Sequence, residues 1–194
     1  MSGKYFVHPS SYIENPVIIG DKTRIMHFCH IMPHAIIGSN CIIGRNVTVE
    51  PGVIIGNNVT IEDNVMIKSG TIIEDNVICG PSIVFTLAPV IRPRDIKPKP
   101  SKLRPTIIKM GASIGANSTI ICGNTLGVYA MIGAGSVITM PVPNYAFVYG
   151  NPARAAGWAC QCGSVINFKN SRAICKYCKS IYQMLELNEV VKVA

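Results

Sequence analysis

Residues 35–67 read AIIGSN CIIGRN VTVEPG VIIGNN VTIEDN VMI. An aliphatic side chain falls on every sixth place, at Ile37, Ile43, Val49, Ile55, Ile61 and Ile67, and a smaller one stands two places before each, at Ala35, Cys41, Val47, Val53, Val59 and Val65. Gly, Asn and Asp fill the places between, where backbone with positive φ costs them least. A helix needs a period of 3.6 and a half-buried strand a period of 2, so a strict six fits neither. It predicts hexads made of a short strand and a corner, coiled into a parallel β-solenoid whose turns pair with one another.

The same step runs outward from this stretch. It starts at Val7, continues to Cys79 and Phe85, and resumes at Ile108 with Ile114, Ile120, Leu126, Ile132 and Ile138. If each coil has three sides, these hexads make a prism about 30 Å long; neither the number of sides nor the hand follows from the period. The gap from Phe85 to Ile108 is 23, not a multiple of six, so residues 86–107 are expected to leave the prism as a loop. A single hexad cannot bury its own isoleucine, and the open ends of the stack need covers; Met1–Phe6 and the chain beyond Pro141 are the candidates. Composition agrees with an all-β chain. There are 29 Ile against 5 Leu, and 48% hydrophobic against 14% charged residues exclude a disordered or coiled-coil protein.

The net charge of +8 suggests a nucleic-acid binder until it is divided along the chain. Residues 1–85 carry five Lys or Arg against seven Asp or Glu, 86–107 six against one, 108–151 one against none and 152–194 six against two. The body is near neutral. The cations sit on the insert (Arg92, Arg94, Lys97, Lys99, Lys102, Arg104) and on the tail, which suits a phosphate-bearing small molecule better than a duplex. Gly, Asn or Asp interrupts every apolar run well short of a membrane span, so a soluble, cytoplasmic chain with no membrane partner is expected.

The repeat over residues 7–140, closed by YAFVYGNPAR (Tyr145–Arg154), resembles the left-handed β-helix hexapeptide acyltransferases. Within that group, RIMHFCHI (Arg24–Ile31), CGPSIVFT (Cys79–Thr86), the Pro93-Arg94 pair, RPTIIKMGASIGANSTIICG (Arg104–Gly123) and GNPARAAGW (Gly150–Trp158) are similar to enzymes that acetylate the 3-amino group of a nucleotide sugar. Their type is UDP-2-acetamido-3-amino-2,3-dideoxyglucuronate N-acetyltransferase, which serves lipopolysaccharide and other surface glycans. The resemblance implies a homotrimer that moves an acetyl group from acetyl-CoA to the amine of a nucleotide-linked, UDP-type amino sugar. It implies that Gly115, Ala116, Gly133 and Ala134 contact the pantetheine arm through their backbone and that Arg154 meets a CoA phosphate. It makes His30 and His27 the candidate catalytic residues, since both fall in the family run. Arg94, matching the family's Pro-Arg pair, and Arg92 would hold the sugar-nucleotide diphosphate, for which Arg offers bidentate hydrogen bonds. Lys68 and Thr86 stack at the root of the insert and complete the expected substrate site. Two departures stand out: Met26 replaces a family Trp, and Leu87 replaces an Asn that approaches the reacting amine. Leu cannot hydrogen-bond an amine, so a neighbour takes that role, the acceptor differs, or the chain does not act on the type substrate.

A γ-carbonic-anhydrase reading of the same fold needs two His five apart plus a distant third; His8, His27, His30 and His34 are spaced 19, 3 and 4. The eight cysteines divide into two sets. Cys29, Cys41 and Cys79 take inward hexad positions and Cys122 a corner, where none needs a redox role. Cys160, Cys162, Cys175 and Cys178 form two close pairs separated by strand-turn-strand length, the pattern of a zinc ribbon. Four thiolates close the tetrahedron, so the zinc is expected to be structural; the competing reading is two disulfides. The domain division is therefore residues 1–157 for the β-helix with its insert and 158–194 for the ribbon. A basic ribbon also suggests a non-enzymatic alternative, an RNA- or protein-binding module on a solenoid scaffold, although the tail lacks the interleaved aromatics that stack bases.

Overall fold

The computed structural model describes residues 5–87, 105–185 and 189–194. Its strands are mostly two residues long and divide among three parallel sheets that form the faces of a prism. Counting from the N-terminus, the first face begins with Phe6–Val7 and Arg24–Ile25, the second with Tyr12–Ile13 and His30–Ile31, and the third with Ile18–Ile19 and Ile36–Ile37. Register holds at 18 residues per coil: Ile25 pairs with Ile43, Ile31 with Val49 and Ile37 with Ile55. Three sides per coil are thus observed, and among the described residues there is no helix.

Each hexad folds this way because its two inward residues have nowhere else to go. Ile25, Ile31, Ile37, Ile43, Ile61 and Ile67 lose all or nearly all contact with solvent, and the smaller partners Ala35, Cys41, Val47 and Val59 fill the corners of the same aliphatic column. One residue per corner adopts positive φ, from Lys22 and Phe28 through Asn40, Asn46, Asn58 and Asn64 to Asn117 and Tyr129. Asn dominates because it tolerates that backbone, whereas Phe28 and Tyr129 are held there by the stack.

Across the insert the pairing step becomes 35 residues, as in Ile72 with Ile107 and Ile78 with Ser113. Thr86 still donates its amide to Ile120, and Thr106–Ile108 is a strand of the third face. The prism therefore keeps Thr86, Thr106 and Ile107, and the excursion is narrower than the expected 86–107. Arg92 and Arg94, with the other insert cations, lie outside the described residues.

At the C-terminal end the first face continues beyond the coils. Ala146–Gly150 pairs parallel with Met131–Ile132, then antiparallel with Ala153–Ala159, which pairs with Val165–Ile166. A separate antiparallel sheet holds Arg172–Ile174, Ile181–Met184 and Val190–Lys192. Tyr145, Cys160, Ile166, Cys175 and Tyr182 form its core, and Tyr145 stacks on Tyr129 of the last coils at 5.7 Å. Ala153–Ala159 runs through residue 157 without a break, and Trp158 packs against both cores, so the tail is docked as the cover of the stack.

Candidate functional site

The corner between the first and second faces stacks His27, Arg45, Asp63, Pro81, Ala116 and Ala134 in successive coils. Backbone and side-chain bonds tie the stack together: Asn46 N–H donates to the His27 carbonyl at 2.9 Å and Arg45 N–H to Asp63 Oδ1 at 2.6 Å. His27 lies over His8, ring centroids 3.5 Å apart, with its Nδ1 buried and unpaired. Four coil steps, roughly 19 Å, separate His27 from Ala116. The structure therefore sets His27 and the expected cofactor residues Ala116 and Ala134 along one corner without bringing them into contact.

Gly115 and Gly133 owe their identity to stacking. A Cβ on Gly115 would lie 2.5 Å from the Ala134 nitrogen, and one on Gly133 would lie 2.7 Å from Tyr149 Cβ. Only glycine lets the coils close there, and Ala134 itself is exposed. Arg154 pairs opposite Tyr149, is exposed, and donates to the Ala153 carbonyl at 3.0 Å. It lines a cavity of about 350 Å³ with Ile138, Met140, Pro141, Val148 and Ala153, mostly apolar apart from the guanidinium and Thr139.

The second corner carries the acid–base groups. His30 projects from the second face and its Nε2 meets Glu14 Oε1 at 2.5 Å, with Tyr12 tilted against the ring. Sequence reasoning did not find Glu14, although counting back two coils from Glu50 along this corner reaches it. Two coils above Glu14's neighbour Met32, Lys68 Nζ donates to Glu50 Oε1 at 2.7 Å and Ser69 N–H donates to Oε2 at 2.9 Å. Burial alone would raise the Glu50 carboxyl, but these bonds outweigh it and hold the carboxyl below the usual range. Thr86 Oγ1 accepts the Cys122 amide at 2.9 Å, so the hydroxyl is engaged in joining two coils. Leu87 follows it, exposed at the end of the described segment.

The four tail cysteines converge, every Sγ within 4.8 Å of the others. Cys160 and Cys178 are 3.2 Å apart and Cys162 and Cys175 3.6 Å, too long for disulfides and close to the ~3.8 Å edge of a tetrahedron with metal–sulfur bonds of about 2.3 Å. Burial pushes the Cys160 thiol up to about 12, and hydrogen bonds with Ser180 pull the exposed Cys178 down to about 6. The donor set fits a thiophilic tetrahedral cation. No helix among the described residues is long and apolar enough to cross a membrane.

Residues 16–51 match the family described as bacterial transferase hexapeptide (six repeats), and residues 34–69 and 105–140 match the hexapeptide repeat of succinyl-transferase. A dTDP-3-amino-3,6-dideoxy-alpha-D-galactopyranose 3-N-acetyltransferase of Aneurinibacillus thermoaerophilus is 51% identical over 171 residues, covering 88% of this chain and 87% of the relative. The bifunctional protein GlmU of Thermotoga petrophila is 44% identical over 59 residues, 29% of this chain and 13% of that protein. A hexapeptide transferase family protein from Anaplasma phagocytophilum superposes with a TM-score of 0.54 at 17% identity, covering 80% of each chain, which supports the fold alone. Solenoid, glycine corners and a relative of this identity along nearly the whole length lead to one assignment: the chain belongs to the hexapeptide-repeat acetyltransferases.

Proposed function

We propose that this chain is a left-handed β-helix enzyme that transfers the acetyl group of acetyl-CoA to the amine of a nucleotide-linked amino sugar. The nucleotide is dTDP, in place of the UDP expected from the type enzyme, and the acceptor is a 3-amino-3,6-dideoxyhexose. The carrying observation is the 51% identity to an enzyme named for that substrate over 88% of this chain. Such a reaction belongs to surface-glycan synthesis of the lipopolysaccharide type in the cytoplasm.

In this reading the sugar nitrogen attacks the thioester carbonyl, the C–N bond forms, the C–S bond breaks, and CoA leaves as the thiolate. His30 takes the proton the nitrogen sheds. Its Nε2–H donates to the Glu14 carboxylate, which leaves the Nδ1 lone pair for the amine. His27, stacked on His8, lies on the same corner as Ala116 and Ala134, on the N-terminal side of them, and belongs to the acceptor side of the site. Gly115, Ala116, Gly133 and Ala134 offer their backbone to pantetheine, and Arg154 offers a cation at the rim of its apolar cavity. Arg94, Arg92, Lys68 and Thr86 belong to the sugar-nucleotide side.

Assembly as a homotrimer is supported by the third face. Its outward residues Ile18, Ile36, Ile54, Ile72 and Ile107 form an uncharged stripe, with Ile18 64% exposed, that a second copy would cover. The four-cysteine cluster is read as a structural zinc ribbon, in which Cys160, Cys162, Cys175 and Cys178 supply thiolates and the ion contributes folding energy. The test is incubation with acetyl-CoA and a panel of dTDP- and UDP-linked 3- and 4-amino sugars, read for a gain of about 42 Da, the mass of an acetyl group replacing a proton. Acetylation of the dTDP-linked 3-amino sugar is expected; acetylation confined to UDP sugars, or none across the panel, would overturn the reading.

A further inference from the structure

We infer that the basic cleft of the tail is a docking site for the anionic headgroups of a phospholipid bilayer, on which the prism stands by its C-terminal end. The cleft, about 840 Å³, opens where the two arms of a hairpin part. Lys169 and Arg172 exchange backbone bonds at 2.9 and 3.0 Å around Asn170 and Ser171, both at positive φ, which is the tight turn that suits a hairpin. Beyond them the arms join different sheets: Val165–Ile166 pairs with Ala153–Ala159, and Arg172–Ile174 with Ile181–Met184. Each arm is the outer strand of its sheet, and among the described residues no strand fills the gap between them. Lys176 and Tyr177 stand between Cys175 and Cys178, whose sulfurs turn into the four-cysteine cluster, and both are left exposed on the cleft wall.

Lys169, Arg172 and Lys176 thus line one opening that no carboxylate shares, and none of them forms an ion pair among the described residues. Beside them Val165, Ile174 and Tyr177 are 56%, 56% and 80% exposed. Cations flanked by exposed aliphatic groups and a tyrosine are what a bilayer surface selects: headgroup phosphates meet the charges, the ring settles at headgroup depth, and the aliphatic groups reach the acyl boundary. A nucleic-acid strand needs several rings for its bases, and the cleft offers one. A soluble anion would leave the three apolar side chains in water. The charge also has a direction. Residues 1–85 hold five cations against seven carboxylates, and residues 152–194 six against two. Of those two, Glu189 is turned to the coils, lining a cavity with Lys109, Thr125 and Asn144, and Glu186 lies outside the described residues. An anionic surface therefore attracts the tail and leaves the coils that carry His30 and Glu14 at the far end of the stack. This surface contact needs no membrane-crossing helix, and it replaces the expectation of a chain with no membrane partner.

The test is co-sedimentation of the full-length protein with vesicles of equal parts phosphatidylglycerol and phosphatidylcholine, and with vesicles of phosphatidylcholine alone, at low and at high salt. The parent should bind the mixed vesicles, leave them as salt rises, and ignore the neutral ones. In Lys169→Gln/Arg172→Gln/Lys176→Gln the partition should fall on the order of a hundredfold, at roughly fivefold per cation, and in Tyr177→Ser by a few fold. Trp158 emission checks that both variants are folded. Absence of binding to the mixed vesicles, equal binding to both kinds, or undiminished binding by the triple variant overturns the inference. So does displacement from the vesicles by inorganic phosphate at constant ionic strength, which would make the cleft a site for a soluble anion. Binding of polyglutamate, or of an oligonucleotide with steep salt dependence, without binding of vesicles assigns the cleft to an acidic protein or to nucleic acid instead.

Discussion

Gly115→Ala tests whether the coils are held at a spacing only glycine permits. The new methyl carbon would start 2.5 Å from the Ala134 nitrogen and 2.8 Å from its Cα, both backbone atoms of the next coil. The two coils must separate by about 0.5 Å before the contact reaches 3.0 Å, the limit of tolerated approaches. That movement stretches the bonds that join them here, Gly115 N–H to Ile132 O at 2.9 Å and Gly135 N–H to Ala116 O at 2.8 Å. Weakening two backbone bonds at about 1 kcal/mol each predicts a loss of about 2 kcal/mol. Gly135→Ala, in the next coil of the same corner, is the control: its φ is +69° and nothing lies within 4 Å of its would-be Cβ, so the cost is the left-handed backbone alone, about 1 kcal/mol. Urea unfolding followed by circular dichroism gives both numbers. A Gly115→Ala protein as stable as Gly135→Ala would refute the argument that coil spacing dictates the glycine.

Further outcomes follow from the same geometry. His30→Asn should lower kcat about 100-fold or more and Glu14→Gln by a smaller factor, with KM for acetyl-CoA little changed, in steady-state assays of acetyl transfer. Because the Glu50 carboxyl is held below its unfolded-state range, its pairing with Lys68 stabilises the fold above that range and is lost as pH falls through the folded value. Urea midpoints of the parent should thus fall more steeply than those of Glu50→Gln between neutral pH and about pH 3. On the proposed zinc reading, chelation, or replacing Cys175 with Ser, should expose Trp158, the single tryptophan, and red-shift its emission, because Trp158 packs against Phe168 of the tail. Burial pushes the Cys79 thiol up to about 12, so alkylation of the native protein at mildly alkaline pH, read by peptide mass, should spare Cys79 and modify the partly exposed Cys122.

The solenoid was legible because its inward positions obey one rule for every hexad: Ile43 and Ile61 are read correctly without knowing anything distant. The phase break after Phe85 likewise announced an excursion. Its width was overestimated because Thr106 and Ile107, which precede the resumed hexad at Ile108, already belong to a strand of the third face. The site was less legible, since its parts meet only after the chain has been wound. Glu14 and His30 are 16 residues apart, two short of a full coil, so their contact depends on a side chain reaching from one face to the adjoining corner. Thr86, expected in the substrate site, has its hydroxyl receive an amide 36 residues away, a pairing set by the length of the insert. The docking of the tail through Tyr129, Tyr145 and Tyr182 had no periodic signature, because each tyrosine satisfies a local packing need that no repeat enforces.

The strand Ala153–Ala159 joins the end of the stack to the tail, pairing with Ala146–Gly150 on one side and Val165–Ile166 on the other. The solenoid can wind as it emerges, but its growing edge stays an open template until residues 153–194 have left the ribosome and folded back on it. Messages cut short before Cys175 would therefore yield chains with well-formed coils and a raw upper edge, prone to end-to-end growth.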